Sequence, residues 1–245
     1  MPRNCLLAGH WQPPYFQNFP MKKTLFLFLS IPLLQRCSNS DQARQTPPQA
    51  DKNAPQIMRG SFKIQADAYL LHDCGTGKIH TVKPAPLLDS LYRTACLSVV
   101  YPEKSVYAVL RGTLADEVMT VTDIDAVEAK NPWNTCIPFE FWCSGTEPFW
   151  DLEISEAEGG LFYQDIGRAQ GAKYAWTAPK INANTWIYDV PANQGQPAFR
   201  IVIKKENANN GMSEVTYNYS SEITVNGEKR QGVAIRWGEP KLEPK

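Results

Sequence analysis

The chain of 245 residues has no excess of charge of either sign, with 25 basic against 25 acidic residues. A protein that tracks a phosphate backbone usually carries a basic field, so nucleic acid is not expected as a partner. Histidine is scarce, with three in all. Two of them, His72 and His80, flank one turn, which reads as a hairpin surface and not as a base placed beside a nucleophile. No GxSxG, HExxH or CxxC occurs, so nothing marks a hydrolase elbow, a zinc helix or a thiol redox pair. The apolar run from Leu25 to Leu34 is too short to stay in a bilayer as a spanning helix.

What the sequence does have begins at Met21. Lys22 and Lys23, the apolar core and Cys37 follow the three-part layout of a secretory signal. A signal needs its charged end first, so Met21 is the expected start, residues 1–20 a spurious extension and 21–36 the signal peptide. Leu34-Gln35-Arg36-Cys37 resembles the lipobox of bacterial lipoproteins, with Arg36 where that pattern favours a small residue. The resemblance implies lipidation of Cys37, with plain secretion or an unprocessed anchor as the alternative, and Ser38 implies sorting to the outer membrane. Removing residues 1–36 takes away Arg3, Lys22, Lys23 and Arg36 and no acids, which leaves 21 basic against 25 acidic residues in a mildly acidic mature protein. The compartment it would face, the periplasm, is one where paired cysteines persist.

Residues 37–60 are polar and carry Pro47, Pro48 and Pro55, the composition of a disordered tether. A first domain, 61–130, follows. Phe62, Ile64, Ala66, Ala68 and Leu70 alternate with polar residues, the period of a half-buried strand. "CGTG" at 74–77 turns into "KIHTV", and "PLLDSLYRTAC" places Leu87, Leu88, Leu91 and Ala95 on one face of a short helix. Strands at 105–112 and 117–127 complete a unit that suits a small OB-like barrel with one short helix. "CGTGKIHTV", the helix and "VYAVLRGTL" resemble the C-terminal OB-like domain of the envelope-stress lipoprotein NlpE. The CxxC-bearing copper module of that family has no counterpart here, so copper sensing is not implied.

After "NPWN" at 131–134 a second all-β domain, 137–240, is expected to form an antiparallel barrel or sandwich of seven strands near 148–154, 160–166, 173–178, 185–190, 199–205, 215–225 and 232–237. Asn226-Gly227 is a strong hairpin signal between the last two. Gly145-Thr146-Glu147-Pro148-Phe149-Trp150 and Gly211-Met212-Ser213-Glu214 resemble the G[NT]EPFW and GMS[DE] motifs of an uncharacterised family of bacterial lipoproteins. Pro148 cannot donate to a ladder and so opens a strand, in which Trp150, Leu152 and Ile154 face one way and Asp151 and Glu153 the other. Trp150 is expected to plug the barrel. The rival reading makes Trp142, Thr146, Glu147, Phe149 and Trp150 an aromatic and acidic binding patch.

Four cysteines remain in the two domains. With one pair in each, the simplest connectivity is Cys74 to Cys96 and Cys136 to Cys143, although three are allowed. The sharper alternative, thiolates with His72, His80 or Met212 around copper(I), lacks the spacing of a metal motif, and no cofactor or catalytic residue is expected. These readings converge on a lipid-anchored, non-catalytic protein of the cell envelope, facing the periplasm from the outer membrane, which serves envelope homeostasis or stress sensing through a protein partner. The alternatives are a small-ligand, metal or lysozyme-inhibitor-type binding module and an unrecognised hydrolase.

Overall fold

A computed structural model of the chain describes residues 54–95, 104–165, 170–193, 195–212 and 214–239. The expected signal sequence, Cys37, most of the tether, Cys96 and Ser213 lie outside them. Two β-sheets share one compact unit, Pro48–Lys245.

The first sheet is a closed barrel of five strands. β1 (Gln56–Gln65) pairs with β2 (Ala68–Asp73), and β2 with β3 (Ile79–Val82). Helix α1 (Pro86–Thr94) follows, and then β4 (Val106–Ala115) and β5 (Val118–Glu128), with β1 closing on β4 and β3 lying parallel to β5. The single strand expected from Phe62 to Leu70 is a hairpin: Ala66 and Asp67 both take positive φ, 46° and 65°, and Gln65 faces Ala68. Strand β1 also begins at Gln56, inside the stretch read as tether. The helix starts on Pro86, whose missing N–H costs nothing in the first turn, and Arg93 donates to Asp89 one turn back at 2.8 Å. Its buried side chains are Leu88 and Tyr92. Leu87, expected on that face, points to solvent, and Tyr92 fills the place by meeting Phe62 edge-on at 5.6 Å and donating its hydroxyl to the Lys104 carbonyl.

The second sheet has nine strands. In chain order they are β6 (Phe141–Thr146), β7 (Phe149–Ser155), β8 (Gly160–Asp165), β9 (Gln170–Ala175), β10 (Lys180–Asn182), β11 (Thr185–Val190), β12 (Phe199–Ala208), β13 (Tyr217–Val225) and β14 (Glu228–Arg236). Their spatial order is β10-β11-β12-β13-β14-β6-β7-β8-β9, every pair antiparallel. Nine strands replace the expected seven. The sheet curls over one core, in which the Tyr174 ring of β9 stacks on Phe199 of β12 with centroids 4.7 Å apart. Trp150, Leu152 and Ile154 enter that core as their alternation predicts.

Asp151 and Glu153 lie opposite the core residues, as the alternation predicts, and that face is covered too: Glu153 is buried at 1% exposure, because the loops flanking β4 and β5 cover it. Lys104, just before β4, approaches Glu153 at 3.3 Å, and Lys130, just after β5, reaches Glu153 at 2.6 Å and Glu158 at 2.5 Å. Ser105 also donates to Glu158. Burial alone would push the Lys130 ammonium down, but Glu153 and Glu158 outweigh it and hold it above the usual lysine range. Glu158 is held below the usual glutamate range, since Lys130 and the hydroxyl of Ser105 overcome its own burial.

The "NPWN" segment is a turn fixed by side chains: the Asn131 amide donates to the Asn134 side chain at 2.7 Å and the Trp133 amide to Asn131 at 2.8 Å. Beyond it, Cys136 bonds Cys74 of the β2–β3 turn. This corrects the expected pairing. Cys143 sits inside the second core as a free thiol, and the bond runs between the two sheets instead of within each. A closed loop of 62 residues restricts the unfolded chain by about 4 kcal/mol in the chain-entropy account.

Removing one partner from a buried ion cluster strands the other, a loss of roughly 3 to 5 kcal/mol. Lys130→Met is therefore expected to lower urea stability by about that amount, and a loss below about 1 kcal/mol would show that the cluster carries no such weight. Asp151 gives a second test. Burial, with Glu153 adding and Lys104 opposing, pushes its carboxyl up to about 6. The folded state thus holds this proton more tightly than the unfolded chain, and the stability it lends below about pH 4 is lost as pH rises to about 6. Asp151→Asn should match the parent near pH 4 and exceed it by about 2 kcal/mol at pH 7, as urea titrations at the two pH values will read.

Candidate functional site

The "GTEPFW" stretch is a hairpin and not only the start of a strand. Strand β6 ends at Thr146, Glu147 and Pro148 form the turn with a cis peptide between them, and Phe149 pairs back with Thr146. Sequence reasoning missed β6 because both its faces are covered, the core on one side and the barrel loops on the other, so Phe141, Trp142 and Cys143 are all buried and the two-residue period disappears. One residue further along the hairpin, Gly145 faces Trp150. A Cβ on Gly145 would lie 2.0 Å from Trp150 Nε1, and one on Gly232 of β14 would lie 2.6 Å from Trp150 Cζ2. Both positions must be glycine for the indole to lie flat across the ladder.

The rival reading of this stretch as one aromatic patch does not survive intact. Trp150 is in the core and Trp142 is buried on the opposite face, edge-on to Phe139 and 5.6 Å from the Lys104 ammonium. Thr146 is half-buried, while Glu147 and Phe149 stay exposed. Thr146 and Glu147 face a neighbour that the sequence did not foresee. Thr146 Oγ1 donates to the Asn210 carbonyl at 2.8 Å, which draws the turn containing Gly211 and Met212 against the "GTEPFW" hairpin. Asn209 Oδ1 accepts from the Gly211 amide and Asn210 Oδ1 from the Met212 amide, so the turn is fixed from within and Gly211 takes a φ of 76°. Two motifs some 65 residues apart in sequence thereby meet at one end of the sheet.

Between them lies an open groove of about 610 Å³. It crosses four neighbouring strands, with Glu206 from β12, Ser220 from β13, Gln231 and Gly232 from β14 and Gly145 from β6, and Glu147 at its rim. Among the described residues no Lys, Arg or aromatic residue lines it. Ser220 donates to Glu206 at 2.5 Å and Gln231 to Glu222 at 2.7 Å. Glu147 has no partner among the described residues, and Glu206 has none but Ser220.

Two other hollows are less available. A cavity of about 480 Å³ contains Arg230, but that guanidinium is buried and committed to Tyr163, Asp165 at 2.8 Å and Glu228 at 3.1 Å. A cleft of about 350 Å³ is bounded by Trp186, Trp237 and Ile181, with the Arg236 guanidinium over Trp186 and the Glu140 carboxylate accepting from Trp176 and Tyr188.

The remaining singled-out residues disperse. His72 is half-buried beside the Gly77 carbonyl. His80, expected at the surface, is buried at 3% exposure. Met212 is exposed on the groove. Burial raises the Cys143 thiol far above its usual range, which keeps it protonated and inert. Among the described residues no cluster of three or more His, Cys, Asp or Glu could hold a metal.

A closed five-stranded barrel with one helix agrees with the OB-like domain that the first resemblance implied. Residues 52–128 match the family model of the NlpE C-terminal OB domain. The match covers the barrel and stops before the nine-stranded sheet, and an NlpE-like OB domain accords with an envelope lipoprotein. Comparison with curated proteins and with solved structures found no match. The groove therefore lies wholly in the part of the chain that the NlpE-like match leaves out.

The hairpin makes a direct prediction. Gly145→Ala should cost about 2 to 3 kcal/mol by driving a methyl into the indole and the Gln231 carbonyl. Glu147→Gln, on the exposed turn, should stay within about 0.5 kcal/mol of the parent in the same thermal melts.

Proposed function

We propose that the chain is a non-catalytic binding protein of the bacterial cell envelope, anchored to the outer membrane by a lipid on Cys37 and acting in envelope homeostasis or stress sensing through a protein partner. The observation that carries this reading is the NlpE-like barrel at residues 52–128, which sits directly after a segment with the order of a signal sequence, a cysteine and a polar stretch. The site supports binding over chemistry. Its acids face no base, its hydroxyls face no histidine, and the one free thiol among the described residues is buried.

A second reading, a module for a small polar ligand, is favoured by the groove at the "GTEPFW" hairpin. The two are compatible, since a ligand in the groove could gate a partner on the barrel.

The experiment is intact-mass analysis of the protein from fractionated cells, beside Cys37→Ala. A chain that starts at Cys37, carries acyl mass and leaves the membrane fraction on Cys37→Ala is the expected result. An uncut, unacylated chain in the cytosol would overturn the reading.

A further inference from the structure

We propose that the seam between barrel and sheet is a pH-responsive joint: a proton on Asp151 keeps the loops of Lys104 and Lys130 seated on β7 in mild acid, and its loss near neutrality lets them lift. The bond from Cys74 to Cys136 keeps the two sheets joined while the seam is open. The joint works whatever the groove or the barrel binds.

The first ground is the count of charges under the covering loops. Two ammonium groups, Lys104 and Lys130, meet two carboxylates, Glu153 and Glu158, and none of these side chains is more than 7% exposed. Asp151 is a third carboxyl, beside Glu153 on the same face of β7. Ionised, it gives the seam one negative charge too many and repels Glu153. Protonated, it leaves the seam neutral.

The second ground is geometric. Asp151 Oδ1 is sealed from solvent and has no hydrogen-bond partner among the described residues. A carboxylate oxygen can only accept, and one that meets no donor keeps its full desolvation cost. The cross-strand neighbours of Asp151 are uncharged, Ser144 of β6 and Gln164 of β8. The Lys104 ammonium lies over Phe162 at 5.2 Å, and Lys173 of β9 reaches the same ring at 5.6 Å. Burial outweighs the pull of Lys104 and lifts the Asp151 carboxyl to about 6. Lys130 is held above the lysine range and Glu158 below the glutamate range, so both stay charged while Asp151 titrates.

The closed seam therefore holds this proton more tightly than an open one, in which Asp151 returns to the ordinary carboxyl range of about 4. Opening is rarest in acid and grows as pH rises through about 6. Between about pH 5 and about pH 8 the open form stays ionised while the closed form loses its proton, so the ratio of open to closed molecules rises about tenfold.

The lysines themselves report the opening. A lysine-specific protease takes the side chain into its own pocket, so Lys104 and Lys130, 3% and 2% exposed, are cut only when the seam is open. Lys204 and Lys205 lie inside β12 and are cut only when that strand unravels. Full-length protein in detergent is digested lightly between about pH 5 and about pH 8, beside Asp151→Asn, which keeps the shape and removes the charge, and the first cuts are read by mass. The ratio of parent to variant rates at Lys104 and Lys130 cancels the pH profile of the protease. That ratio should rise about tenfold across the range, with both sites in the parent cut at least about tenfold faster than β12 at the upper end. Should the variant not fold, an unstructured lysine peptide digested at each pH supplies the same correction for the parent alone. A corrected rate that stays level with pH, or cuts at Lys104 and Lys130 no faster than those in β12, would each overturn the proposal.

Discussion

Glu153 is the point on which the arrangement of the two sheets depends. Its carboxylate lies between two lysines that the barrel sends across from either end of its last hairpin, one before β4 and one after β5. Glu158 and Ser105 complete the contact. Two lysines and two glutamates balance, and a buried cluster is tolerable only when it balances, because any member left alone keeps its desolvation cost without its attraction. Asp151, the one extra carboxyl on that face, shows what imbalance does: burial lifts its pKa to about 6. A hydrophobic seam of the same size would give stability without direction. Four charges at fixed positions accept one register of barrel on sheet, and the bond from Cys74 to Cys136 holds the same register from the other end of the barrel's sequence.

That seam explains which features were legible in the sequence. Strands with one wet face announced themselves: β11 to β14 were placed within a few residues, and Asn226-Gly227 was found because φ of 53° and 79° demands those residue types. Ala66-Asp67 has the same pair of positive φ angles without a glycine, so two strands read as one. β6 is absent from the expected strands for the opposite reason: like the outer side of β7, it has no wet face. An Asp and a Glu on a half-buried strand look like solvent contacts until a second structure covers them, and nothing in residues 148–154 says that lysines at 104 and 130 will do so.

Cysteine pairing failed on a related point. Assigning one bond to each domain assumes that domains close on themselves, whereas the segment after Asn134 runs back along the barrel and brings Cys136 to within a Cα separation of 5.4 Å of Cys74. The candidate site was half legible. Both of its motifs were noticed, and the core role of Trp150 followed from alternation. Their meeting could not be foreseen, since it depends on β14 lying beside β6 and on one threonine hydroxyl bonded to a carbonyl 64 positions later.

The groove's walls are fixed by side chains of its own turns and strands. Asn209 and Asn210 spend their side-chain oxygens on amides of their own turn, Thr146 fixes that turn to the hairpin, and Gly145, Gly232 and the indole between them leave no slack in the ladder. Ordering a loop on binding costs affinity, and a wall ordered in advance avoids that cost. Because the seam joins barrel and sheet, the groove belongs to a single body rather than to one of two loosely strung domains, and strain at the hairpin has a short route to the barrel: Asp151 and Glu153 follow Trp150 along the same strand, directly under Lys104 and Lys130.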